Sequence, residues 1–385
     1  MHTRMLSLAT ARNIHLVIPT ALALMTSVAH AHAQRVTQPR SPKATIKTTP
    51  LKPGERRFAP DSLWRNVWAV GGDPKSDTYV EPRQIVTTGD IVVVLDDGTR
   101  EVRGLDARTG AERFVLKPTG QGPGEFRRPT RLTATPAGFA IIDQADARFT
   151  LFDRRGKFVW TTVLADVFTI NGLCVRATPN GGTRIVATQA RHDSSIVEFD
   201  TTGKRTSIRT VPWKELVPKA VAFAYVHFAT NTSAAGDCAI APIFGAEWAF
   251  IPAVGTPTPH RVVEPGPQPV IAVSERVLER TLSKVTVKGS QQSDTPQIAR
   301  GAMLIGDTII INASQTKQYA YRLLDYYLAT TGEYLYSRKL PFTVNGCTIG
   351  ADGTIYITRI QVESQIIMAM KPATLAEATA SARKP

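Results

Sequence analysis

Three aspartates, Asp106, Asp153 and Asp200, recur at an interval of 47 residues, and each opens a turn that closes on a glycine, at Gly110, Gly156 and Gly203. A fixed period of about 40 to 50 residues is that of a four-stranded propeller blade, so this repeat restricts the chain more than its length does. Residues 119 to 155 hold most of one unit. It has a strand from Arg131 to Thr135, a turn at Pro136 to Gly138, an apolar strand ending at Asp143 and an alternating strand from Arg148 to Phe152. A second turn with Asp153 and Gly156 leads to a fourth strand, Phe158 to Val163. Four short strands joined by turn residues read as a meander.

The apolar strand returns six times, as IVVVLD from Ile91, FAIID from Phe139, TRIVAT from Thr183, CAIAPI from Cys238, TIIINA from Thr308 and TIYITR from Thr354. The second turn returns more loosely at Gly255 and Gly332. These units predict an all-β chain, a six-bladed β-propeller with four-stranded antiparallel blades. A length of 385 residues suggests two or three domains by itself. A propeller is one closed ring, because its blades bury their faces against each other. The sixth unit has TIYITR and IIMAMK (Ile366 to Lys371) but no fourth strand, while the ordered part opens with SLWRNVWAVGG. An N-terminal strand that supplies the outermost strand of the last blade closes the ring and removes an exposed edge. Alternation in that strand sets Leu63, Val67 and Ala69 on one side and Trp64, Asn66 and Trp68 on the other.

Residues 1 to 33 carry Arg4 and Arg12, an apolar run from Ile14 to Val28 broken by Pro19, and Ala31-His32-Ala33 before Gln34. That pattern is a secretory signal peptide, too short in its core to span a bilayer. Residues 34 to 60 read as a disordered basic linker rich in Pro, Thr, Lys and Arg. The whole chain is +14, and loss of Arg4 and Arg12 leaves +12. Seven basic residues against Glu55 between 34 and 58 account for half of that. The remaining charge is spread over the ring, so no nucleic-acid-binding face is expected, and the basic arm is free to touch an anionic envelope. The propeller is assigned to 61–372 with an insertion at about 256–300, where Val273 to Leu282 reads as a short helix. Residues 373–385 form a tail. A monomer in the bacterial periplasm or outside the cell is expected.

Catalytic motifs are absent. Beyond the signal only His192, His227 and His260 remain, with no His-Glu-x-x-His, Cys-x-x-Cys or Gly-x-Ser-x-Gly. No Asp-x-Asp-x-Asp-Gly calcium loop is present either. The repeated aspartates suit turns through side-chain bonds to backbone amides. Asp143 either pairs with Arg148 or caps its loop. Of Cys174, Cys238 and Cys347, the first and last occupy innermost strands of the third and sixth blades, too far apart for a disulfide. All three are expected as buried free thiols.

The segment Gly120-Gln121-Gly122-Pro123-Gly124-Glu125-Phe126, followed by a strand, a Gly turn, an apolar strand to Asp143, Arg148 and Phe152-Asp153, carries a resemblance. The chain resembles the NHL-like six-bladed propellers, particularly secreted bacterial families with a Gly-x-Gly-Pro-Gly-Glu-Phe segment between early blades. Physically the segment reads as a rigid crossover in which Phe126 plugs the gap between blades and Glu125 bonds nearby amides. A phosphate loop would need a helix N-terminus after it, and a strand follows. The fold likeness implies that ligands bind where the second-to-third-strand loops and the crossovers gather. Those loops hold Arg100, Arg148, Arg191, His192, Glu247, Trp248, Lys317 and Arg359, a basic funnel with one aromatic that suits an anionic protein, peptide or glycan. A non-enzymatic binding or protein-interaction platform without a cofactor is the preferred reading. The alternative is an enzyme resembling metal-dependent lactonase or lyase propellers, with calcium in the central channel and oxygen ligands drawn from Asn171, Asn231, Glu247, Asp307 and Asn345.

Overall fold

The computed structural model describes residues 55–59, 63–73, 78–143, 147–164, 173–178, 182–188, 195–212, 226–229, 235–242, 247–263, 299–313, 322–360 and 365–373. Among them every regular element is a strand. Strand β1 (Trp64–Gly71) is followed by blade I, comprising β2 (Pro82–Thr88), β3 (Ile91–Asp96), β4 (Val102–Asp106) and β5 (Glu112–Leu116). Blade II has β6 (Pro129–Thr135), β7 (Gly138–Asp143), β8 (Arg148–Asp153) and β9 (Phe158–Val163). Blade III has β10 (Leu173–Ala177), β11 (Thr183–Thr188), β12 (Ser195–Phe199) and β13 (Arg205–Thr210). Blade IV has β14 (Val226–Phe228), β15 (Cys238–Pro242), β16 (Glu247–Ile251) and β17 (Thr258–Arg261). Blade V has β18 (Ala299–Ile305), β19 (Thr308–Ala313), β20 (Leu323–Leu328) and β21 (Tyr334–Lys339), and β22 (Gly346–Ile349), β23 (Ile355–Ile360) and β24 (Gln365–Pro372) begin blade VI. Strand β1 pairs antiparallel with β24 from Trp64↔Pro372 to Gly71↔Ile366, so the N-terminal strand closes the ring.

The second strand of each blade falls where the apolar repeat lies. Blades cover both faces of these strands, so β3 and β7 are buried at every position and read as continuous apolar runs instead of alternating ones. Outer strands face water, and β13 is exposed or half-buried throughout. The aspartates work as expected of turn residues. Asp106 Oδ1 accepts the amides of Arg108 and Thr109 at 3.0 and 2.9 Å, and Asp153 and Asp200 bind the amides two and four residues on. Gly110 ends the first of these turns at φ 75°, and a methyl added to it would lie 2.7 Å from Trp68 of β1. That glycine therefore serves the turn and admits the neighbouring blade.

Three details differ from the sequence reading. Leu63, Val67 and Ala69 share the exposed side of β1 and Trp64 and Trp68 the inward one, but a bulge between Asn66 and Trp68 leaves Asn66 exposed, against the alternation. Residues 55–59, at the end of the stretch read as a linker, lie against β21 through a parallel bridge between Phe58 and Ser337. Thr258–Arg261 is the outer strand of blade IV, not insertion. The helix expected at Val273 to Leu282 and the tail from residue 374 lie outside the described residues, as do the signal segment and the linker up to residue 54.

The cysteine expectation is also corrected. Cys174 on β10 and Cys238 on β15 form a disulfide with their Cα atoms 6.1 Å apart, joining blades III and IV inside one apolar cluster. Adjacent blades bring an innermost strand against the neighbour's second strand, a juxtaposition that spacing along the chain does not show. Cys347 is buried and free, and burial pushes its thiol up to about 12.

Candidate functional site: the loop face at blades I and II

Strands alternate in direction within each blade. The starts of the innermost strands, the second-to-third-strand loops and the crossovers therefore share one face. On it Asp96 and Asp143, at the ends of β3 and β7, perform the same task 47 residues apart. Asp96 accepts the amides of Val80 and Glu81 at 2.8 and 2.9 Å, and those of Gly98 and Thr99 at 2.9 and 3.1 Å. Asp143 Oδ2 accepts those of Arg127 and Arg128 at 2.8 and 2.9 Å. Each carboxylate fixes the segment that enters its own blade. Asp143 is thus a cap, and Arg148 has another use.

Between these two anchors runs the Gly-rich crossover. Glu125 Oε2 accepts the Gly122 amide at 2.7 Å, and a methyl at Gly120 or Gly122 would come within 3 Å of that carboxylate. Phe126 is 2% exposed and packs among Val86, Leu132, Phe139 and Phe152, the plug expected of it. Arg148 donates to the carbonyl of Gln121 and reaches that of Gly122 at 3.4 Å, which ties β8 to the crossover. The segment is a brace.

The exposed edge of this brace is charged. Arg83 and Arg131 sit at the starts of β2 and β6, where register shifts mark a bulge in each strand. Gln84 joins the two strands, donating to Thr130 O at 2.6 Å and accepting from Leu132 N at 2.8 Å. Arg83 pairs with Glu81, and its Nε lies 3.7 Å from Asp97 Oδ2. Arg131 is half-buried and donates to Thr130 O at 2.8 Å; burial lowers its pKa, and the Asp97 charge opposes that shift. Burial raises the pKa of Asp97, against the pull of Arg83. Arg100 stands exposed on the same loop at φ 60°. The guanidinium groups of Arg83 and Arg131 and the carboxylates of Glu81 and Asp97 thus share one rim, with Arg100 exposed on the adjoining loop.

The residues picked from sequence divide accordingly. Arg100 lies at this rim and Arg148 beside it in the brace. Arg359 stacks over Phe342 of the blade V to VI crossover at 4.5 Å, a bracing contact in blade VI, the neighbour of blade I. Glu247 is buried at the start of β16, in register with Arg261. Trp248 is corrected outright as a surface residue: it is 0% exposed, 4.6 Å from the His260 ring and 5.6 Å from that of Tyr327. The first residue of a third strand already lies between blades, and the next one points into the core. Arg191, His192 and Lys317 lie outside the described residues. Arg83 and Arg131 were missed, although each stands within two residues of the prolines Pro82 and Pro129, which match in the repeat.

The fold places only some of the oxygen ligands considered for a channel ion. Asp307 lies in the β18–β19 turn, at the end of its blade opposite to Glu247 and Asn345, and Asn171 and Asn231 lie outside the described residues. Among the described residues no group of three or more His, Cys, Asp or Glu could hold a metal ion.

No protein-family model matches the chain, and no curated protein matches it in sequence. Solved structures do share its architecture. A candidate exported protein from Bacteroides fragilis is similar with a TM-score of 0.50 at 12% identity, over 82% of this chain and 97% of the other. A member of the DUF4221 family from Bacteroides vulgatus has a TM-score of 0.47 at 9% identity, over 81% and 100%. Virginiamycin B lyase from Staphylococcus aureus has a TM-score of 0.45 at 12% identity, over 80% and 90%. At such identities the likeness is one of fold. No helix among the described residues is long and apolar enough to cross a membrane.

Proposed function

We propose that this chain is an exported, non-enzymatic propeller of the secreted NHL-like kind, acting as a binding or protein-interaction platform. Its ligand is an acidic protein, peptide or glycan engaged at the loop face. The observation that carries this reading is Arg131, half-buried on an innermost strand, with Arg83 beside it at Asp97 and Arg100 exposed on the adjoining loop. Guanidinium groups fork onto carboxylates with two parallel hydrogen bonds, and a partly desolvated one loses less to water on binding. The carboxylates of Glu81 and Asp97 hold the arginines in place and disfavour a second acidic group out of register. Export is supported by the signal-like residues 1 to 33 and by the fold likeness to the B. fragilis protein. The basic arm adds affinity for an anionic envelope.

The test uses the mature chain from Gln34 and a panel of acidic and neutral peptides and oligosaccharides, measured by titration calorimetry at two salt concentrations. Acidic members bind, more weakly in high salt, and Arg83→Gln together with Arg131→Gln lowers affinity at least ~10-fold, about 1.4 kcal/mol. Equal binding by the double variant, or no preference for acidic members, defeats the proposal.

A further inference from the structure

We infer that the outer edge of blade V is a second binding site, a strand-addition receptor for extended peptides that carry an arginine, occupied here by the chain's own residues 55–59. This site does not depend on the loop-face reading. Asp325 on β20 and Ser337 on β21 are cross-strand partners and are buried, the Asp325 side chain 2% and Ser337 0% exposed. Ser337 Oγ donates to Asp325 Oδ1 at 2.6 Å, and the Tyr334 hydroxyl lies 2.7 Å from Ser337 Oγ. Each hydroxyl has one proton. With Ser337 donating to the carboxylate, Tyr334 donates to Ser337, and the Tyr334 oxygen accepts the Arg57 amide at 3.1 Å. Burial raises the pKa of Tyr334, which keeps that phenol protonated.

Into this socket enters Arg56, its side chain 6% exposed and its guanidinium paired with Asp325 and 3.3 Å from Ser337 Oγ. The main chain around it pairs with the edge strand through a one-residue parallel bridge: Ser337 N donates to Arg57 O at 2.8 Å and Ala59 N to Ser337 O at 3.0 Å. Arg57 Nη1 reaches Leu335 O at 3.3 Å. Main-chain bonds along an edge and a pocket for one side chain are the two components of peptide recognition by strand addition. The pairing is parallel, whereas the blade strands pair antiparallel, and the arm sits on blade V while β1 sits on blade VI. The socket residues Asp325, Tyr334, Leu335 and Ser337 all belong to blade V. Their occupant belongs to the same chain, so it acts as a tethered ligand whose local concentration of about a millimolar masks the site.

The test uses a fluorescent peptide with the sequence of residues 53 to 60 and full mature chains. Ala59→Pro removes one main-chain donor of the arm and leaves the socket untouched. That variant binds the peptide at least ~10-fold more tightly than the unmodified chain does. Asp325→Asn in the same background, or Arg56→Ala in the peptide, lowers that affinity at least ~10-fold. Binding no tighter than by the unmodified chain, with a native near-UV spectrum, overturns the inference, as does equal binding of the Arg56→Ala peptide. A measurement on the unmodified chain guards against a misfolded variant. Millimolar peptide displaces the arm, and hydrogen exchange of the Arg57 and Ala59 amides accelerates. Unchanged exchange overturns the inference too.

Discussion

His260 lies against the Trp248 ring with its Nε2 buried, and burial lowers its pKa below the ordinary imidazole value. The unfolded chain then binds a proton at this position more readily than the folded one. Its contribution to stability is complete above a pH of about 6.5 and is lost as the pH falls from there through the lowered folded value. Urea midpoints at pH 7.5 and pH 5.5 check this: the acid-side drop should shrink in His260→Phe, and an equal drop in both proteins contradicts it. Single residues also show how far local chemistry is legible. The turn role of Asp106, the plug role of Phe126 and the bonds of Glu125 were all readable, because each depends on neighbours within a few residues. Trp248 was misjudged, because a side chain's direction relative to the next blade has no local signature.

Strands repeat that division. The six apolar second strands and the Asp-to-Gly turns were plain in the sequence, since burial on both faces writes a continuous apolar run. The sides of β1 were legible except at Asn66, where the bulge turns the side chain outward. β10 and β15 hide their most consequential contact in the same way, the Cys174–Cys238 disulfide between blades. Denatured without reductant, the protein should react with a thiol reagent at one cysteine, Cys347, and at three after reduction. Three reactive thiols before reduction contradict the pairing. Cys174→Ala with Cys238→Ala opens a loop of 64 residues and should destabilise the fold by about 2–4 kcal/mol.

At the scale of the molecule, ring closure was legible from a missing fourth strand in the last unit and a spare strand at the start. What the sequence hid is how widely that start reaches. The Trp64 indole donates to Lys339 O of blade V at 2.8 Å, and the Trp68 indole to Ala107 O of blade I at 2.9 Å. Strand β1 thus grips both neighbours of the blade it completes. The disulfide and the Arg56–Asp325 pair add fastenings between blades III and IV and between the arm and blade V. The binding platform proposed above needs no central ion. The most direct test is the melting midpoint of the mature chain, measured with calcium and then with a chelator. A folded-state ion at a hundred times its dissociation constant stabilises by about 2.7 kcal/mol, a shift of several degrees. An unchanged midpoint is the result predicted for a platform that binds. A midpoint that falls with chelator and returns with calcium contradicts it and points to an enzyme with its ion in the channel.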